Sequence, residues 1–150
     1  MKRVYVNEKW CLGCHLCEVN CAFANTGRPY MDTALKGVAL HPRIRIEEKG
    51  TVSFAVSCRH CEEPLCVKGC ITGALSVADG VVEIDREKCV GCYTCILSCP
   101  YGAIMPSPEG AVQKCELCVQ NGGTPACVAG CPNHAIVFED RAAQAAEKGA

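Results

Sequence analysis

Sixteen cysteines fall into four groups of four, with none left over. CLGCHLCEVNC supplies Cys11, Cys14, Cys17 and Cys21, and CRHCEEPLCVKGC supplies Cys58, Cys61, Cys66 and Cys70. CVGCYTCILSCP supplies Cys89, Cys92, Cys95 and Cys99, and CELCVQNGGTPACVAGCP supplies Cys115, Cys118, Cys127 and Cys131. Each group begins CxxC and ends CxxxC; only the middle gap changes, from two residues in the first and third groups to four in the second and eight in the fourth. Thiolates are soft metal ligands, so the chemistry of this pattern is metal ligation. CxxCxxCxxxCP is the signature of a cysteine-ligated [4Fe–4S] cube, the fourth cysteine going to the neighbouring cube in two-cluster proteins. The third group matches it at every position. Three closely spaced thiols wrap one loop around three corners of a cube, leaving backbone N–H groups free to donate to the sulfurs. The fourth is expected to start a helix directed at the other cube, and Pro100 or Pro132 then follows as a residue that needs no N–H partner.

Zinc also accepts CxxC pairs, but structural zinc sites use two pairs separated by a longer knuckle, whereas two of these groups are triple-cysteine runs. A disulfide scaffold is disfavoured by compartment. The opening MKRVYVNEKW has early positive charge but no apolar core and no twin arginine, so the chain is read as cytoplasmic, with reduced thiols. His15 and His60 lie between ligand cysteines. With a cysteine for every corner of four cubes they are surplus as ligands, and are assigned to hydrogen bonding or solvent exposure. Trp10 and Tyr93 flank the runs and are assigned to shielding a cube from water.

Composition agrees with a metal-held interior. Cysteine is 16 of 150 residues, and only eight are aromatic, so side chains alone make a thin core for this length. The length fits one domain. Lys plus Arg is 15 against 16 Asp plus Glu, without the one-signed field of a nucleic-acid binder. Residues 89–108 carry no charge, but four cysteines, three prolines and two glycines there argue against a membrane helix, and no membrane association is expected. No nucleophile constellation, phosphate loop or nucleotide fingerprint is present. With cysteine on every corner no iron keeps an open coordination site, so the chain is expected to move electrons rather than to catalyse.

The elements that must position these groups are short. Alternation at Ile44 and Ile46, then at Val52, Phe54 and Val56, around a turn at Glu48-Lys49-Gly50, predicts a hairpin leading into the second group. Ala74 to Val77 and Val81 to Ile84, joined by Asp79-Gly80, predict a second hairpin between groups two and three. Val4 to Val6 and Ile136 to Phe138 are expected strands near the chain ends. Helices of about two turns should start near the last cysteine of a group, as in Cys21 to Asn25. Residues 22–42 read as an irregular insertion, and RAAQAAEKGA as one exposed helix.

The four groups, CRHCEEPLC with Pro64 before Cys66, and the widened CELC...CVAGCP resemble the four-cluster ferredoxin-like electron-transfer subunits of multisubunit oxidoreductases, over about residues 4–139. That family includes the small subunits of dimethyl sulfoxide reductase, formate dehydrogenase and formate hydrogenlyase. The opening VNEKWCLGCHLCEVNCAFANTG looks most like the carbon monoxide dehydrogenase iron–sulfur subunit and the small subunit of tungsten-dependent aldehyde oxidoreductases. Ile71 departs from the family, where proline often follows the second group's last cysteine. The expected fold is α+β, with tandem ferredoxin-like modules of short strands and short helices around four [4Fe–4S] clusters. Residues 1–140 form one domain: an inner module (58–114), an outer module (1–25 with 115–140), and an insertion with hairpin (26–57), followed by a tail (141–150).

Eighteen residues with a hairpin pattern separate Cys70 from Cys89, as in a small two-cluster ferredoxin, so groups two and three pair, and one and four pair. The resemblance implies the same nesting. The expected ligand sets are Cys11, Cys14, Cys17 with Cys131; Cys115, Cys118, Cys127 with Cys21; Cys58, Cys61, Cys66 with Cys99; and Cys89, Cys92, Cys95 with Cys70. The function implied is electron relay from a catalytic subunit, of aldehyde oxidoreductase or carbon monoxide dehydrogenase type, to a nicotinamide-linked flavoprotein or a ferredoxin. Two rivals use the same residues differently. A freely diffusing polyferredoxin would be expected to be more acidic than a net charge of −1. An iron–sulfur sensor would carry one cluster and a DNA-binding module, and neither is seen.

Overall fold

A CxxxC places its thiols at i and i+4, one turn apart on one helical face. In every group of this protein that stretch starts as a helix, which in the first group runs through both cysteines and in the others ends before the fourth. The computed structural model describes residues 1–27, 36–37 and 39–141. Helix α1 (Leu16–Thr26) carries both Cys17 and Cys21. Helices α2 (Leu65–Lys68), α3 (Thr94–Ser98) and α4 (Ala126–Ala129) carry Cys66, Cys95 and Cys127. The fourth cysteine then closes a final turn onto the carbonyl three residues back: Cys70 on Val67 at 3.2 Å, Cys99 on Ile96 at 3.3 Å and Cys131 on Val128 at 3.2 Å. The helices therefore begin before the third cysteine, not at the fourth as expected, because both thiols need the same helical face. In the two widened groups the longer gap ends in Pro64 or Pro125, which stands at the helix start where a missing N–H is tolerated.

The helices pack in two pairs, α1 with α4 and α2 with α3. In each pair a glycine just before a fourth cysteine meets the residue at the same position of the other group. A Cβ at Gly130 would overlap the Asn20 side chain, and one at Gly69 would press on Ser98 Oγ at 3.2 Å. Groups one and four thus lie together, and groups two and three together.

Four two-stranded antiparallel sheets hold these pairs among the described residues. Strand β1 (Arg3–Val6) pairs with β8 (Ile136–Glu139), Val4 opposite Phe138, and so ties the two ends of the described chain together. Strands β2 (Arg45–Lys49) and β3 (Val52–Val56) form the expected first hairpin, with strand structure running through Lys49 and the reversal falling at Gly50-Thr51. Strands β4 (Leu75–Ala78) and β5 (Val81–Ile84) join through Asp79 and Gly80, both at positive φ (48° and 76°), as the tight two-residue hairpin turn requires. Strands β6 (Met105–Pro106) and β7 (Val112–Gln113) were not expected; two residues each are too few to show alternation. Of the expected irregular insertion, residues 22–26 belong to α1, while 28–35 and 38 lie outside the described residues. The expected tail helix lies outside them from residue 142 onward.

The buried apolar residues form two clusters. In the larger one, five of twelve members are cysteines (Cys17, Cys21, Cys58, Cys115 and Cys127), alongside Ile44, Leu117 and Ile136. The smaller holds Leu75, Val82, Cys95, Ile104 and Val112, and Cys99 packs against both. A buried Arg43–Glu116 ion pair joins the two halves, since Glu116 also accepts the Ile84 N–H at 3.3 Å. With so many thiols where aliphatic side chains would stand, metal binding is expected to be folding free energy. Anaerobic chelation of the iron from the loaded protein should abolish its secondary structure by circular dichroism; a cooperative thermal transition retained by the iron-free chain would contradict this.

Candidate functional site

Each group presents its first two thiols from a curled loop. The residue before the second cysteine has positive φ in all four: Gly13 (62°), His60 (46°), Gly91 (67°) and Leu117 (53°). Two of these are not glycine, and a histidine and a leucine in that region are held there against local strain. At Gly91 a side chain has no room, because a Cβ would meet the Gly110 carbonyl oxygen at 2.5 Å.

Three small cavities open at these loops. One is lined by Cys11, Cys14, Cys17 and Cys131, walled by Trp10, Ile46 and Ile136. Another is lined by Cys70, Cys89, Cys92 and Cys95 with Leu75, Tyr93 and Val112. The third is lined by Cys58, Cys61, Cys66 and Cys99 with Leu65, Val82 and Ile104. Four thiols apiece and apolar walls suit one repeated guest with soft-ligand preference, and a [4Fe–4S] cube has that chemistry. The remaining four cysteines are also neighbours: burial pushes the Cys127 thiol up, and Cys115, Cys21 and Cys118 push it further.

The thiols divide by environment. Burial raises Cys17 and Cys115 to about 12 and Cys66 to about 11. In the metal-free chain these hold their protons at neutral pH, so metal binding must release them. At Cys92 the Thr94 hydroxyl, with Oγ1 3.5 Å from the sulfur, lowers the thiol below its usual value. At Cys70 burial is outweighed by the Leu75 N–H and the Thr72 hydroxyl, and the thiol is again lowered. Backbone donors reach two buried sulfurs: Arg43 N to Cys21 Sγ at 3.3 Å and Leu117 N to Cys115 Sγ at 3.4 Å. Such donors stabilise charge on the ligand sulfurs. Exposure is graded too. Cys14 and Cys92 are exposed, whereas Cys17, Cys21, Cys58, Cys95, Cys115 and Cys127 are buried.

The histidines do not join the thiols. His15 is exposed and pairs with Glu18 at 2.7 Å, while Glu18 also accepts the Ile46 N–H at 2.6 Å. His60 is fully buried, and its Nδ1 accepts the Val82 N–H at 3.0 Å. Burial, then Lys114 and Arg3, lower it to about 3, so the ring is neutral with its proton on Nε2. Trp10 and Tyr93 wall their cavities while staying partly exposed. Sequence reasoning missed Lys114, fully buried beside Cys115, and the buried Arg43–Glu116 pair. A charged residue next to a cysteine carries no pattern that marks it as interior.

Residues 51–141 match the family described as a 4Fe-4S dicluster domain. The chain is 38% identical to an iron-sulfur protein of Rhodospirillum rubrum, over 91% of this chain and 81% of that one. It is 34% identical to the thiosulfate reductase electron transfer subunit PhsB of Salmonella typhi, over 88% of this chain and 72% of PhsB. It is also 35% identical to AegA of Escherichia coli strain K12, over 89% of this chain but 21% of AegA, so it spans about a fifth of that longer protein.

The proximities bear on ligand exchange. Cys21 neighbours Cys118 and Cys115 across the α1–α4 contact, while Cys131 lines the cavity of Cys11, Cys14 and Cys17. We propose that these are the exchanged ligands. Cys21→Ser should then alter the electron paramagnetic resonance signature of the cluster at Cys115, Cys118 and Cys127, and Cys131→Ser that of the cluster at Cys11, Cys14 and Cys17. The reverse assignment would overturn the nesting.

Proposed function

This chain belongs to the 4Fe–4S dicluster family, and we propose that it is a non-catalytic electron-transfer subunit carrying four [4Fe–4S] clusters. The observation that supports this reading is that twelve of the sixteen thiols line three cavities four by four, while the other four, Cys21, Cys115, Cys118 and Cys127, neighbour one another at the α1–α4 pair. Each cluster, when bound, takes up one electron and passes it on. The protein's residues do the rest: cysteines hold the corners, apolar walls exclude water, and short helices set the spacing. The thiols at the two ends of a CxxxC serve neighbouring clusters, so one helical turn, about 6 Å of rise, links them. That is short enough for tunnelling.

The relay we propose runs from the set at Cys11, through those at Cys115 and Cys58, to the set at Cys89. The outer module (1–25 with 115–140) contributes the first two clusters and the inner module (58–114) the others. The exposed thiols Cys14 and Cys92 belong to the two end sets. Exposed apolar side chains flank both ends: Trp10, Leu12 and Leu16 at one, and Ile71, Val90, Tyr93 and Leu97 at the other, with Leu97 89% exposed. Apolar surface beside a redox centre suits protein docking. One end would face a catalytic subunit of aldehyde oxidoreductase or carbon monoxide dehydrogenase type, the other a nicotinamide-linked flavoprotein or a ferredoxin. The name of PhsB, an electron transfer subunit of thiosulfate reductase, supports the subunit reading. No helix among the described residues is long and apolar enough to cross a membrane.

Untagged protein purified anaerobically from its native source should elute with a larger catalytic subunit in fixed stoichiometry. Leu97→Asp should slow electron exchange with one partner by at least tenfold while leaving the iron content unchanged. A monomer that exchanges fully with ferredoxin and brings no partner would overturn the subunit reading in favour of a free polyferredoxin.

A further inference from the structure

Lys114 is a lysine with no exposed surface. It follows β7, directly before Cys115, and its ammonium donates to the Val82 carbonyl and, at 2.8 Å, to the Cys115 carbonyl. Val82 in turn donates its N–H to His60 Nδ1 at 3.0 Å, and the groups the ammonium itself touches are backbone carbonyl dipoles. Glu116, two residues away, is committed to Arg43. Carbonyl dipoles alone are poor compensation for a buried cation.

The cysteines near Lys114 belong to two different sets, and they become anionic only when they ligate a cluster. The ammonium holds the carbonyl of Cys115 itself and that of Val82, and Val82 lines the cavity of Cys58, Cys61, Cys66 and Cys99. Cys58 and Cys66 belong to one central set and Cys115 to the other. A cube held by four thiolates is an anion, and each electron it accepts adds negative charge in a low-dielectric interior. A fixed cation between two such cubes therefore favours their reduced forms.

We propose that Lys114 is the shared counter-cation of the two central clusters, raising their reduction potentials without touching those of the two end clusters. This rests on the four-cluster reading above. When clusters are bound, the fixed charge of Lys114 would offset part of the negative charge that each added electron brings to the two sets beside it. Lys114 is a positioning residue in this sense: it ligates nothing and sets the energy of the middle of the path.

The test is an anaerobic redox titration of the loaded, full-length protein, followed by electron paramagnetic resonance, with Lys114→Met, Lys114→Gln and Lys114→Arg beside the native chain. Iron is counted first. In either neutral variant, two of the four couples should move to lower potential by about tenfold in the oxidised-to-reduced ratio, about 59 mV for one electron, while the other two stay in place. Lys114→Arg, which keeps the charge, should leave all four near their native values. A purely structural role would be met by the Gln side chain's N–H without any change in potential. Four couples unmoved, or four moving together, would overturn the proposal. So would failure of both neutral variants to hold one iron per cysteine where the native chain does, since Lys114 would then serve assembly. If the native chain itself falls short of that count, the four-cluster reading fails as well, and the iron count tells the two failures apart.

Discussion

Two thiols one helical turn apart, on a helix otherwise too short to be stable alone, are the constraint on which this structure depends. Isolated helices of four or five residues do not form in water, and α2, α3 and α4 are of that length. Each persists because its two cysteines lie against two different thiol clusters and because a second short helix packs on it. The glycines at Gly69 and Gly130 follow from the same demand, since the helix pairs approach where a side chain would intervene. The small sheets are the minimum needed to close the loops around those pairs. The largest apolar cluster is accordingly built around cysteine, where an ordinary domain of this length would use leucine and phenylalanine.

Burial gives the four thiol sets unequal surroundings. The end sets each include an exposed thiol, and in the set of Cys70 and Cys92 both sulfurs are eased toward ionisation by threonine hydroxyls. Every set holds a buried cysteine, Cys17 and Cys95 in the end sets and Cys21, Cys58, Cys115 and Cys127 in the other two. In those two, backbone donors reach Cys21 and Cys115, and the buried Lys114 donates to the Cys115 carbonyl. In a low-dielectric interior, charge on such a set is stabilised by fixed donors without help from water.

The chemistry of the site was legible from cysteine spacing alone, and so were the hairpins at Ile44–Val56 and Ala74–Ile84, where alternation and an Asp-Gly turn are strong local signals. The helices start before the third cysteine and not near the fourth, because the i and i+4 relation within CxxxC sets both thiols on one helical face. Strands β6 and β7 left no pattern in two residues apiece. The interiors of Lys114, Arg43 and Glu116 could not be read at all, since burial of a charge depends on what tertiary contacts bring alongside it. The left-handed conformations at His60 and Leu117 were hidden for a similar reason: glycine announces that geometry in the other two loops, and here the loop closure imposes it on side chains that disfavour it.

The central claim is that every cysteine of this chain holds a cluster iron. Native mass spectrometry of the anaerobically prepared protein tests it without any substitution. The account predicts a single dominant species heavier than the polypeptide by one iron and one sulfide for each of the sixteen cysteines. A fully folded species carrying half that load, or zinc in its place, would contradict it.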